Sequence, residues 1–170
     1  MKKSHNNPNP NPNPDPNPDP NPDPDPNPTT HRCLRCNSKR CQACNYITDS
    51  THFTSTHNHK TFRIIGYIDC KSTNLIYLIT CKKCHLQYVG ETSRKLADRI
   101  NDHLSRIRRR KPTPIGLHFR STGHSIRDFQ IVGIEKFDDR TSTDTRRIKE
   151  ATWQHLLQTA HPLGLNNLKR

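Results

Sequence analysis

From Leu75 to Ile79 every position is apolar and β-favouring, a run of strand length. Cys81-Lys82-Lys83-Cys84 marks the turn after it, and His85 to Val89 gives a second run, closed by Gly90. Thr92 or Ser93 then stands ready to cap a helix beginning near Arg94. Along that helix Leu96, Ile100, Leu104 and Ile107 recur at helical spacing and predict a buried face. Arg99, His103, Arg106 and Arg110 form a second stripe beside it, basic and expected to be exposed. The stretch predicts a hairpin feeding a helix, with one tyrosine on each strand and a cationic edge alongside.

The pattern continues on both sides. Phe62 to Ile68 predicts an earlier strand and Phe129 to Ile134 a third strand of the main sheet. Ser142 or Thr143 is placed to cap a second long helix, running to about Thr159 and stopped before Pro162. Trp153, Leu156, Leu157 and Ala160 are its expected packing face, and Glu150 sits one turn before Trp153, where a carboxylate can lean toward the sheet. These elements predict an α+β fold with a small, three-stranded, mainly antiparallel sheet flanked by helices.

Residues 1–30 read differently. From Asn7 to Pro28 every second residue is proline, alternating with Asn or Asp. Each proline lacks an amide donor and pushes the residue before it toward extended angles, so neither helix nor sheet is open to this segment. The expectation is a disordered tail rich in polyproline II, its 22 repeat residues spanning about 70 Å. A spacer or docking role competes with a repeat of no specific role. The remaining division is a Cys-rich, basic lead-in over 31–73 and, over 74–168, the domain built on the hairpin and the two helices.

Charge changes the picture of partners. The chain carries +13, yet its first 30 residues hold two lysines against four aspartates, so the other 140 carry +15. That density favours a polyanion, with nucleic acid ahead of an anionic membrane surface. No stretch approaches membrane-spanning length, and no apolar core follows Met1 to His5 as a secretory leader would require. A nuclear, otherwise cytoplasmic, protein is expected, with no membrane and no small-molecule substrate. Arg108-Arg109-Arg110-Lys111, with Arg106 just before, reads as a phosphate clamp, a nuclear-import patch or a solvated helix end.

Seven cysteines lie between 33 and 84. Their odd number and their Cys-x-x-Cys pairs point to metal rather than disulfides. Cys81 and Cys84 with His118 and His124 would complete a tetrahedral zinc site, the alternative being surface histidines near nucleic acid. Cys33, Cys36, Cys41 and Cys44 could close an all-cysteine site, although the central loop is short. Otherwise one pair recruits Cys70 or a histidine among His52, His57 and His59.

Ile76-Tyr77 and Tyr88-Val89-Gly90, followed by Thr92, Arg99 and His103, resemble the GIY-YIG nuclease signature. Asn74 to Ile79, with Cys-x-x-Cys between the two motifs, is similar more narrowly to the endonuclease domain of Penelope-like retroelements. His118-Phe119, Gly123-His124-Ser125, Glu150, Trp153 and Gly164-Leu165-Asn166 continue that likeness, which spans residues 31 to 168. Leu75 replaces the first motif's glycine, a departure from the general family that fits the Penelope-like version. The resemblance implies a GIY-YIG-type DNA endonuclease leaving a 3′-hydroxyl and a 5′-phosphate, structural Zn²⁺ on Cys81, Cys84, His118 and His124, and a reverse transcriptase acting in trans. It assigns catalytic roles to Tyr77, Tyr88, Arg99, His103 and Glu150, and a supporting hydrogen-bonding role to Asn166.

The residue chemistry agrees with such roles. Phosphodiester hydrolysis needs an activated water in line with the leaving oxygen, and cations to take up transition-state charge. Glu150 is a hard oxygen ligand suited to one Mg²⁺ that keeps most of its waters. Arg99 can grip phosphate in a fork that lysine cannot reproduce. A tyrosine titrating near 10 must be acidified to act as base, or His103 takes the proton. The reading from another class is a zinc-stabilised nucleic-acid-binding module without catalysis.

Overall fold

The computed structural model describes residues 31–167; the Asn/Asp-Pro repeat lies outside the described residues. The centre is a three-stranded sheet in the order β6-β5-β7, built from β5 (Leu75–Cys81), β6 (Gln87–Thr92) and β7 (Phe129–Lys136), antiparallel throughout. The apolar run at 75–79 becomes the central strand because it is covered on both faces; Leu75 through Ile79 are all buried. Gly90 does not close the second strand, which runs on to Thr92 with Gly90 paired opposite Tyr77. On the other side β7 bulges at Ile134, so that Tyr77 pairs with Gly133 while Ile76 pairs with Glu135.

Helix α1 (Leu96–Arg108) presents Leu96, Ile100, Leu104 and Ile107 to the core, as the spacing predicts. Its start differs from expectation. Thr92 accepts the Arg94 amide through Oγ1 but does not cap the helix, and Lys95 at the boundary has no capping side chain. The first amides instead bond to the lead-in: Leu96 N–H to the Ser72 carbonyl and Ala97 N–H to that of Cys70, both at 2.9 Å. His103 is buried rather than exposed, because Tyr77, Tyr88 and Phe129 pack around its ring.

Residues 31–68 form four short strands, β1 (Arg32–Cys33), β2 (His52–Thr54), β3 (Thr61–Arg63) and β4 (Tyr67–Ile68). The strand expected over 62–68 is split, since Gly66 takes φ of +87° and breaks the extended run. The lead-in shares the domain's core: Ile47 bridges Ile131, Ile65 bridges Glu135, and the Cys33 sulfur accepts the Gly133 amide at 3.3 Å. Short helix α2 (Pro114–His118) is capped by Thr113 and carries proline at its start, where a missing amide costs nothing.

Helix α3 (Thr143–Leu157) is capped by Ser142, whose side chain accepts the Thr145 amide, and ends before Gln158, whose left-handed φ of 55° stops it short of Thr159. It packs mainly on β6, with Trp153 edge-on to Phe53 and Phe62. Its buried face is not purely apolar: Arg146 and Glu150 are buried with Trp153 and Leu157, whereas Leu156 is exposed and Ala160 lies beyond the helix. Arg146 is tolerated there because Glu91 on β6 pairs with its Nε at 3.1 Å. Among the described residues no helix is long and apolar enough to cross a membrane.

Candidate active site and metal clusters

Tyr77 is fully buried on the central strand, yet its hydroxyl is not idle. Arg99 Nε donates to it at 2.8 Å, and His103 Nε2 stands 2.9 Å away. One helical turn separates Arg99 from His103, so α1 delivers both side chains to one phenolic oxygen. Arg99 also lies over the Tyr77 ring, 5.9 Å from its centroid. Tyr88, half-buried on β6, packs edge-on against His103 with ring centroids 6.0 Å apart. Glu150 on α3 is buried close enough for its charge to act on both tyrosines.

The electrostatics follow from burial. Desolvation lifts Tyr77 well above the usual phenol range, with Arg99 pulling it down and the charge of Glu150 adding to the rise. Tyr88 is raised for the same reasons, Arg99 and Arg106 opposing. His103 is pushed down to about 3 by burial first, then by the charges of Arg99 and Arg106. A neutral imidazole can take a hydrogen bond from the Tyr77 O–H at Nε2, which orders the trio as Arg99 donating to Tyr77 and Tyr77 donating to His103. The other ring nitrogen, Nδ1, is buried without a partner.

Asn166 braces the strand that carries Tyr88. Its amide donates to the Val89 carbonyl at 2.8 Å and accepts the Val89 amide at 2.9 Å, acting as one more strand residue along the open edge of β6. Leu165 extends the contact by donating to the Gln87 carbonyl.

Two clusters bring metal-ligating atoms within 4.8 Å of one another. In the first, Cys81, Cys84, His118 and His124 converge. Cys84 Sγ and His118 Nε2 are 3.5 Å apart, close to the ~3.5 Å edge that a tetrahedral zinc with ordinary bond lengths imposes between sulfur and nitrogen. His124 Nε2 is buried with no hydrogen-bond partner, while its Nδ1 contacts Ser121 Oγ at 3.2 Å. That leaves Nε2 as the ligating atom, with the hydroxyl fixing the ring. The residues fit a structural zinc.

The second cluster corrects the set Cys33, Cys36, Cys41 and Cys44 and takes the alternative in which Cys70 is recruited. It is Cys36, Cys41, Cys44 and Cys70; Cys33 is not in it. Cys33 lies fully buried on β1 with its sulfur against the Gly133 amide, and burial pushes its thiol up to about 12. The signal that could have selected Cys70 is the parallel pairing of β1 with β4, which pairs Cys33 with Ile68. The chains leaving those strands, with Cys36 three residues on and Cys70 two residues on, run out together.

Of the basic run, Arg106, Arg109 and Lys111 line a cleft of about 480 Å³ with Asp102, Ser105, Pro112 and Thr113. Arg108 and Arg110 are exposed outside it, and the Arg110 carbonyl holds Arg120. Sequence reasoning missed the polar contacts beneath α3: Glu91 with Arg146, and Glu135, which accepts Trp153 Nε1 at 2.6 Å and pairs with Lys149 at 3.5 Å.

The hairpin and α1 thus gather Tyr77, Tyr88, Arg99 and His103, and the charge of Glu150 on α3 reaches both tyrosines. The family model of the GIY-YIG catalytic domain matches residues 73–162, and this chain belongs to the GIY-YIG family of nucleases. Comparison with curated proteins and with solved structures brought no match.

Proposed function

We propose that this protein is a metal-dependent DNA endonuclease that nicks one strand to a 3′-hydroxyl and a 5′-phosphate. The observation that carries the reading is the Tyr77 hydroxyl held between Arg99 and His103, with Tyr88 and Glu150 acting on the same spot. Arg99 uses Nε on Tyr77, which leaves its two terminal nitrogens for the scissile phosphate in fork geometry. Tyr88, the less buried tyrosine, is the group that orients the attacking water. Tyr77 and His103 act as a unit: neutral His103 fixes the Tyr77 proton, and Arg99 sets the direction of the phenolic lone pairs.

Glu150 fits a single Mg²⁺, being a buried hard carboxylate whose charge reaches both tyrosines, whereas Glu91 is engaged by Arg146. A bound Mg²⁺ would supply positive charge against the phosphate in the transition state. It would also reverse the sign of the field that Glu150 places on both tyrosines. Cys81, Cys84, His118 and His124 hold a structural Zn²⁺ that ties the β5–β6 turn to α2.

The origin we favour is a Penelope-like retroelement, on Asn74 to Ile79 and the intervening Cys-x-x-Cys. A nick with a free 3′-hydroxyl would then prime a reverse transcriptase acting in trans, in the nucleus. The test is supercoiled plasmid incubated with purified protein. Open circles should form with Mg²⁺ and not with chelator, and the new ends should be extendable by a DNA polymerase. Protein that retards the plasmid but never opens it, with Mg²⁺ or Mn²⁺ and across pH, would reduce the function to binding.

A further inference from the structure

We infer that Cys36, Cys41, Cys44 and Cys70 form a four-thiolate zinc site that clamps the N-terminus of α1, the helix carrying Arg99 and His103. The sulfurs are already set at ligand spacing. Cys36 and Cys44 Sγ are 3.6 Å apart, and Cys44 and Cys70 Sγ 3.5 Å. Four sulfurs around one zinc at ordinary bond length stand about 3.8 Å from each other, whereas a disulfide needs about 2.05 Å. Backbone amides point at the sulfurs as well: Ser38 at Cys36, Cys44 at Cys41, and Cys36 at Cys70. Such donors stabilise thiolates and are the usual surroundings of a metal-bound sulfur.

The local backbone is shaped for the purpose. Asn37 turns the chain with φ of 53°, and a short 3₁₀ turn at Gln42–Asn45 brings Cys44 back over Cys36. On the other side Asp69 takes the amides of Lys71 and Ser72 on one carboxylate oxygen, which fixes the turn that presents Cys70. Zinc displaces four thiol protons to solvent and leaves the site at −2, beside Arg35, Lys39 and Arg40.

The same turn serves α1. A helix begins with amides that lack partners, and α1 has no side-chain cap. Its Leu96 and Ala97 amides bond to the carbonyls of Ser72 and Cys70. The 3₁₀ turn carrying Cys44 packs against the helix too. Metal on Cys70 therefore fixes the carbonyls that start α1, and Arg99 stands one turn further on. Without metal, the segment carrying three of the four ligands keeps the Arg35–Asp49 pair, the buried Ala43 and the Tyr46–Phe129 contact, but loses the ion that joins Cys36 and Cys44 to Cys70 across the gap.

The experiment measures zinc per chain and amide exchange on the full-length protein, so it stands whether or not the protein cleaves DNA. Wild type should contain two zinc ions per chain. Cys36→Ser and Cys70→Ser should each retain one, and Cys33→Ala should retain two. Cobalt loaded into Cys84→Ser should give the intense charge transfer of a four-thiolate site. In Cys36→Ser the Leu96 and Ala97 amides should exchange about tenfold faster or more, with β5 unchanged, because local opening sets that rate. Cys36 sits on the outer loop, so this variant separates loss of metal from loss of the core. Zinc content of wild type that Cys36→Ser and Cys70→Ser leave unchanged, loss of a zinc in Cys33→Ala, a disulfide among the four thiols, or unchanged Leu96 and Ala97 exchange in zinc-depleted Cys36→Ser would each overturn the inference.

Discussion

The Tyr77 hydroxyl fills the space that any side chain at position 90 would need. A β-carbon on Gly90 would lie 2.3 Å from Tyr77 Oη and 2.5 Å from Cζ. The two residues face each other across β5 and β6, so the glycine of the second motif is required by the tyrosine of the first. Gly90→Ala should destabilise the fold by about 1–3 kcal/mol, the ordinary cost of overpacking. It should also push the hydroxyl off Arg99 and His103 and remove most nicking. In a Tyr77→Phe background, which lacks the closest atom, the same substitution should cost less. Equal losses of melting temperature in both backgrounds would break this coupling.

Much of this architecture was legible because it rests on local pattern. The run at 75–79, the Leu96-Ile100-Leu104-Ile107 face and the Ser142 cap depend on periodicity or on one side chain reaching three residues ahead. What failed depends on tertiary contact. His103 lies in a basic stripe and reads as exposed until Tyr77, Tyr88 and Phe129 close over it. The sequence pattern counts Cys33 in the second cluster and offers Cys70 only as an alternative, because only the parallel β1–β4 pairing brings the remote Cys70 to Cys36. The start of α1 could not be read either, since its caps are the carbonyls of Cys70 and Ser72 rather than a side chain.

The buried imidazole makes a prediction about acid. His103 titrates near 3 in the folded protein, held down by burial and by Arg99 and Arg106, with Asp102 opposing and Tyr77, Tyr88 and Phe129 covering the ring. Unfolded, it titrates near 6.5. Its folded value is therefore depressed: its contribution to stability is full above about 6.5 and is lost as pH falls toward 3, by up to about 1.4 kcal/mol per pH unit. His103→Gln removes the titration, so its unfolding free energy should fall less steeply between neutral pH and pH of about 4.5. Parallel curves for the two proteins would mean that His103 titrates normally.

Cys81, Cys84, His118 and His124 join the end of the central strand to α2 and the loop after it. A metal across elements this far apart in sequence contributes directly to folding. Cys84→Ser, or prolonged chelation of wild type, should lower the melting temperature by many degrees. Ser121→Ala should do so more weakly, because it leaves all four ligands in place and removes the hydroxyl that steadies the His124 ring and donates to the His118 carbonyl. Melting that ignores both chelator and Cys84→Ser would remove this zinc.

Arg106, Arg109 and Lys111 share one cleft, whereas Arg108 and Arg110 stand outside it. If the cleft follows a DNA backbone, converting its three cations to glutamine should flatten the plot of log affinity against log salt by about 0.9 for each phosphate no longer neutralised. Arg108→Gln with Arg110→Gln should flatten it less. Binding measured across a salt series decides, and equal effects of the two sets would argue for diffuse attraction rather than a path through the cleft.

Glu150 separates chemistry from binding. It is a buried carboxylate whose negative charge reaches Tyr77 and Tyr88, opposed at Tyr88 by Arg99 and Arg106. If it carries the divalent ion, Glu150→Ala should abolish nicking while DNA affinity holds or rises, since the substitution also removes repulsion of the phosphate. Arg99→Ala should abolish nicking and weaken binding together if, as proposed, that guanidinium grips phosphate as well as donating to the Tyr77 hydroxyl. Tyr77→Phe and Tyr88→Phe keep their rings and lose only oxygen. Tyr88→Phe should slow cleavage by roughly a hundredfold or more if its hydroxyl orients the water, the usual scale for such a group. Tyr77→Phe leaves Arg99 Nε and His103 Nε2 buried without their shared partner, so it should lower both rate and stability. Plasmid nicking and filter binding, measured side by side on these four variants, tell the two roles apart. Glu150→Ala that still nicks at the wild-type rate in Mg²⁺ would take the metal away from this residue.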